Sequence, residues 1–69
     1  MASGKFYIAK DIPLKGNGKI AKGEELYLSD GIFYLTGGML GREYQEDFMH
    51  LLKHEAKNGW NYLKPTSFE

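Results

Sequence analysis

A chain of 69 residues with no cysteine has room for one domain and one small core, and it excludes both a disulfide framework and a cysteine-held zinc site. Nine basic and nine acidic residues balance to zero, which argues against a generally basic surface of the kind that grips nucleic acid. The longest apolar run is the four residues from Ile32 to Leu35, far short of the ~20 that span a bilayer, and the leading MASGKFYIAK has no apolar signal segment, so the expected setting is soluble and cytoplasmic.

The charge balance is uneven along the chain. Residues 1–23 hold five lysines against Asp11, a net of +4, and residues 24–69 hold four basic against eight acidic residues, a net of −4. Such asymmetry signals either a charged partner or two halves that pack together and complement each other, and the second is the simpler reading.

Residues 1–4 are set aside as a fraying end. Residues 5–9, KFYIA, predict a first strand from their aromatic and β-branched content. Pro13 has no amide to donate, so residues 12–14 read as an edge or irregular piece. Gly16, Asn17 and Gly18 tolerate positive φ and mark a turn, after which KIA at 19–21 returns as a short strand.

Residues 26–35, LYLSDGIFYL, form the clearest signal. A two-residue Asp30-Gly31 turn of type I′ pairs Ser29 with Ile32, Leu28 with Phe33, Tyr27 with Tyr34 and Leu26 with Leu35. Opposed residues share a face and faces alternate along a strand. One face is then Leu26, Leu28, Phe33 and Leu35, wholly apolar. The other is Glu25, Tyr27, Ser29, Ile32, Tyr34 and Thr36, amphipathic. A slip of one residue would mix the two sets, so turn and pattern agree, and the Leu/Phe face is the core.

TGGMLG at 36–41 reads as a break. A helix is predicted over residues 42–57, because Tyr44, Phe48, Leu51, Leu52 and Glu55 recur at helical spacing, acidic residues crowd its start and His54 and Lys57 its end. Asn58-Gly59 stops it. WNYL at 60–63 reads as a short last strand closed by Pro65, with residues 65–69 fraying. Leu28, Phe33, Leu35, Phe48 and Leu52 are the predicted core. The order predicts an α+β domain over residues 1–69: a small antiparallel sheet of three to five short strands, open or partly closed as a small barrel, with one helix toward the C-terminus packed on it.

Chemistry-bearing groups are few. Glu43, Asp47, His50 and His54 share a helix stripe, and histidines at i and i+4 with Asp47 have ligand spacing. Yet HLLKH lacks the glutamate of a zinc-protease motif, and an exposed polar face explains the stripe. KGNGK at 15–19 has the glycine and lysine of a phosphate loop without its spacing or its Ser/Thr. No nucleophile stands in a catalytic context, so no enzyme activity, cofactor or metal is expected. Lys15, Lys19 and Lys22, interleaved with aromatic residues, form the alternative: a small nucleic-acid-binding module. The preferred expectation is an interaction module that binds another protein or itself through Tyr27, Ile32, Tyr34 and Trp60, since tyrosine and tryptophan serve at interfaces where one end is apolar and the other wet. The competing role for the tyrosine face is internal, under cover of the termini. No motif ties the chain to a family; in size and style it resembles small accessory proteins of phages, with no residue that carries the likeness.

Overall fold

The computed structural model describes residues 3–68. Among them the elements follow as β1 (Gly4–Ile8), β2 (Ile12–Pro13), β3 (Lys19–Ile20), β4 (Glu25–Ser29), β5 (Ile32–Leu35), β6 (Gly38–Met39), α1 (Arg42–Asn58) and β7 (Leu63–Phe68). The β4–β5 hairpin adopts the predicted register, from Leu26 opposite Leu35 to Ser29 opposite Ile32. Both turn residues take positive φ, 52° at Asp30 and 79° at Gly31, as a type I′ turn requires.

Five strands form one antiparallel sheet in the order β6-β5-β4-β1-β7, and β2 and β3 pair separately as a small hairpin. The fold is α+β. The sheet stays open, and the partly closed barrel does not form. β6 is two residues long and α1 starts three residues after it, so nothing at that edge reaches round to β7.

The helix lies on the Leu/Phe face. Phe48 meets Phe33 edge-on, with ring centroids 6.2 Å apart and planes at 62°. Phe6, Ile8, Leu26, Leu28, Phe33 and Leu63 from the sheet join Ile12, Ile20, Leu40, Phe48 and Leu52 in one buried cluster. Leu28, Phe33, Phe48 and Leu52 are thus core residues as predicted. Leu35 is half-buried, because it ends its strand and packs against the rim of the cluster. Opposite charges from the two halves do meet: Lys5 lies 3.4 Å from Glu25 and Lys15 lies 3.1 Å from Asp47.

Three local expectations are displaced. The 36–41 stretch does not simply break the sheet. It turns at Thr36-Gly37 and lays Gly38 and Met39 back against Leu35 and Tyr34, with Gly38 at φ 143°, a conformation glycine adopts freely. The last strand does not span residues 60–63 and stop before Pro65. It runs from Leu63 to Phe68 and passes through Pro65, which pairs with Phe6. An edge strand tolerates this proline, since the missing amide falls on the side with no neighbour. The helix ends one residue later than predicted, at Asn58, where the Gly59 amide donates to the Glu55 carbonyl at 2.8 Å. The fraying expected of Met1, Ala2 and Glu69 lies outside the described residues. Among the described residues no helix is long and apolar enough to cross a membrane.

Candidate functional site: the open face of the sheet

Strand alternation sends Phe6, Ile8, Leu26, Leu28 and Phe33 toward the helix. The intervening residues face the other way. The strand registers then line up a row across all five strands: Met39 beside Tyr34, Tyr34 beside Tyr27, Tyr27 beside Lys5, Lys5 beside Ser67. A second row runs Glu25, Tyr7, Lys64. Among the described residues this face stays partly open. Tyr34 and Tyr7 are 36% and 41% exposed and Met39 is 64% exposed.

Tyr27 sits at the centre of the row and is half-buried by its neighbours. Its hydroxyl donates to Glu25 Oε1 at 2.5 Å. Lys5 Nζ pairs with the other oxygen of Glu25 and lies 5.7 Å from the centroid of the Tyr27 ring. The hydrogen bond from Tyr27, seconded by the Lys5 charge, holds the Glu25 carboxyl below its ordinary range despite some loss of solvent. The same bond raises the tyrosine's pKa, so the phenol keeps its proton. Three side chains on two adjacent strands therefore fix one another. Tyr34 and Met39, on β5 and β6, continue the surface with less restraint. Among the described residues the surface carries no pocket. The face is a shallow platform, unsuited to engulfing a small molecule.

The four residues expected to bind a partner divide. Tyr27, Ile32 and Tyr34 share the open face. Trp60 is on the helix side, where its half-buried ring packs at 6.0 Å from Phe6, tilted by 41°. Nearby, Lys10 Nζ sits 5.1 Å over the Tyr62 ring. Tyr7 and Met39 join the face beyond the residues expected from the sequence. Tyr7 was within reach, since it alternates with Phe6 and Ile8; Met39 depends on β6, for which the sequence has no periodic signal.

The other candidate groups are engaged locally. Lys15 pairs with Asp47, and Lys19 reaches Asp11 Oδ2 at 2.8 Å while the Lys22 amide donates to Oδ1 of the same carboxylate at 2.8 Å. The Lys19 contact first, then the Lys22 amide, hold Asp11 below the usual carboxylate range. Two of the three lysines proposed for nucleic acid thus already carry a carboxylate. On the helix, His54 Nδ1 lies 3.2 Å from the Asn58 carboxamide nitrogen and His50 is 4.0 Å from Glu46, while Asp47 faces Lys15. Among the described residues no three His, Asp or Glu side chains gather as metal ligands.

Two further side chains tie the helix to the sheet. Gln45 exchanges hydrogen bonds with the backbone of Phe33, and the buried Glu55 accepts the amides of Asn61, Tyr62 and Leu63. The sequence carries a trace of the second: a glutamate on the apolar stripe of a helix needs buried donors. Gln45 leaves no such trace. No protein-family model matches the chain, and no curated protein or solved structure shows significant similarity to it.

Proposed function

We propose that the protein is a small non-catalytic interaction module that binds another protein across the open face of its sheet. The observation that carries this reading is the uncovered row Met39, Tyr34, Tyr27 and Lys5, flanked by Tyr7. Tyrosine gives a large contact area with little rotamer freedom to lose, and Tyr27 has already lost most of its freedom to Glu25 and Lys5. The Lys5–Glu25 pair also leaves the centre of the face without net charge, so a partner meets rings and methylene groups there rather than a bare ion.

Scale narrows the reading further. Five strands about 4.8 Å apart, of two to six residues at ~3.3 Å rise, make a platform roughly 20 Å across that narrows to about 7 Å at β6. A face of that size falls at the low end of specific interfaces, where association is transient.

The test is the double variant Tyr27→Ser/Tyr34→Ser. It keeps the Leu/Phe core, so it should fold with a nearly unchanged circular dichroism spectrum. Partner capture from the native host, followed by mass spectrometry, should lose the protein that the wild type retains. Sizing chromatography with light scattering on the same pair reports whether that partner is a second copy. A folded double variant that captures the same proteins and keeps the same oligomeric state removes the face from the functional account.

A further inference from the structure

An open sheet has two edges, and each edge is a row of unpaired amides and carbonyls that invites a strand from another chain. In this protein one backbone amide near each edge is held by a side chain of the same helix.

At the β6 end the edge strand is two residues long and leaves the Phe33 amide of β5 without a partner strand. The Gln45 carboxamide fills that place. Its oxygen accepts the Phe33 amide at 2.8 Å, and its nitrogen donates to the carbonyls of Phe33 at 3.0 Å and Leu40 at 2.9 Å. The Phe33 carbonyl also accepts the Leu40 amide at 3.0 Å. An amide group that both accepts from and donates to one residue reproduces the bonding of a hydrogen-bonded antiparallel pair. Gln45 is a one-residue substitute for a neighbouring strand.

At the β7 end the Leu63 amide turns from β1 to Glu55 Oε1 at 2.9 Å. Two residues on, and so facing the same way, stands Pro65, which has no amide at all. Between Pro65 and Ser67 the register with β1 slips, leaving Thr66 as a bulge whose hydroxyl donates to the Lys5 carbonyl at 3.0 Å. A proline, a bulge and a covered amide are three separate obstacles to an incoming strand. Gln45 and Glu55 are ten positions apart, about 15 Å along the helix axis, which matches the three spacings of about 4.8 Å that separate β5 from β7.

We propose that Gln45 and Glu55 are edge guards, which keep a second copy of this chain from adding its strands to the sheet. This holds whether or not the open face binds a partner. Three samples and one measurement on the wild type test it. Gln45→Met keeps the length of the side chain and removes its hydrogen bonds. Glu55→Gln/Pro65→Thr weakens one guard and restores an outward amide. Leu52→Val loosens the core and leaves both edges untouched. Compared at temperatures giving equal fractions unfolded, the two edge variants should shift from monomer to concentration-dependent larger species that bind thioflavin T, and Leu52→Val should not. Association of all three at one rate, or of none, overturns the proposal. Amide exchange on the wild type gives a readout that survives if an edge variant fails to fold. The Phe33 and Leu63 amides should be protected although no strand accepts them, and exchange as fast as the Gly16 amide in the exposed loop would equally overturn it.

Discussion

Glu55 offers the sharpest test of how the fold is held. It is 3% exposed and is the one buried charged side chain among the described residues. Its Oε1 accepts the amides of Asn61 at 2.9 Å, Tyr62 at 3.0 Å and Leu63 at 2.9 Å, and Oε2 shares Tyr62 at 3.0 Å. Glu55→Ala removes the acceptor from three successive donors. The amides of Asn61 and Tyr62 lie near solvent and recover water; each should cost about 0.5–1 kcal/mol. The Leu63 amide is buried and stays unsatisfied, at about 1–3 kcal/mol. The sum is roughly 2–5 kcal/mol, against a total of roughly 3–10 kcal/mol expected for a domain of this size. At about 4–8 °C per kcal/mol, the melting temperature should fall by roughly 8 °C or more.

The same carboxylate adds a pH signature. Burial taken alone would raise the pKa of Glu55, but the amides of Asn61, Leu63 and Tyr62, with a smaller contribution from His54, outweigh it and lower the pKa. A proton therefore binds the folded chain less tightly than the unfolded one. The stability from Glu55 is fully present above the unfolded glutamate pKa of about 4.3, and it is lost as pH falls through the depressed folded value. Asp11 and Glu25 are lowered too and add to the acid slope, so the informative quantity is a difference between variants. Urea titrations of wild type and Glu55→Gln at stepwise pH should show the variant less stable at neutral pH and converging on the wild type in acid. Parallel pH profiles for the two, or a Glu55→Ala variant that melts within a degree or two of the wild type at neutral pH, would refute this account of the carboxylate.

Three other outcomes are expected. Phe33→Ala or Phe48→Ala breaks an edge-on pair at the centre of the core and should cost about 3–5 kcal/mol, leaving the chain largely unfolded by circular dichroism; a normal melt for Phe33→Ala would mean that the wrong face has been taken as the core. Isothermal titration with zinc near neutral pH should give at most weak binding, because Asp47 is held by Lys15; a stoichiometric submicromolar isotherm lost in His50→Ala would contradict this. DNA and RNA should show no specific shift at physiological salt, whereas a salt-sensitive micromolar complex abolished by replacing Lys15, Lys19 and Lys22 with glutamate would establish the basic segment as a nucleic-acid site.

The β4–β5 hairpin could be read to the residue because two independent constraints coincide there. Asp30-Gly31 sets the turn, and the alternation of Leu26, Leu28, Phe33 and Leu35 with the tyrosines sets the register. The helix was legible from a period of 3.6 alone. What escaped the sequence has no period. β6 is two residues long, and its pairing rests on a glycine turn and on the Leu40 amide. The course of β7 through Pro65 depends on being at an edge, which only the assembled sheet decides. Gln45 bonds to a strand 12 residues away, and polar helix positions look alike until the sheet stands beside them. The tyrosine face was visible as a set of residues. That it stays open was not, because this depends on where Trp60 packs, and Trp60 goes to Phe6 on the other side.

The position of β1 shapes how the chain comes together in time. β1 lies between β4 and β7, with Gly4 opposite both Leu28 and Phe68, and the Thr66 hydroxyl reaches Lys5 across 61 positions. The β4–β5 hairpin closes a two-residue turn and is expected within about 1–10 μs. Pairing β1 with β7 must close nearly the whole chain first, an entropic cost that grows with the logarithm of the loop. Folding should therefore be slow for so small a chain, limited by that last pairing. During synthesis β1 emerges long before residues 63–68 exist. Until they arrive its outer edge is a bare row of amides, and Glu55 has no strand to hold. The nascent chain passes through an interval of exposure that the pairing of β7 with β1 then closes.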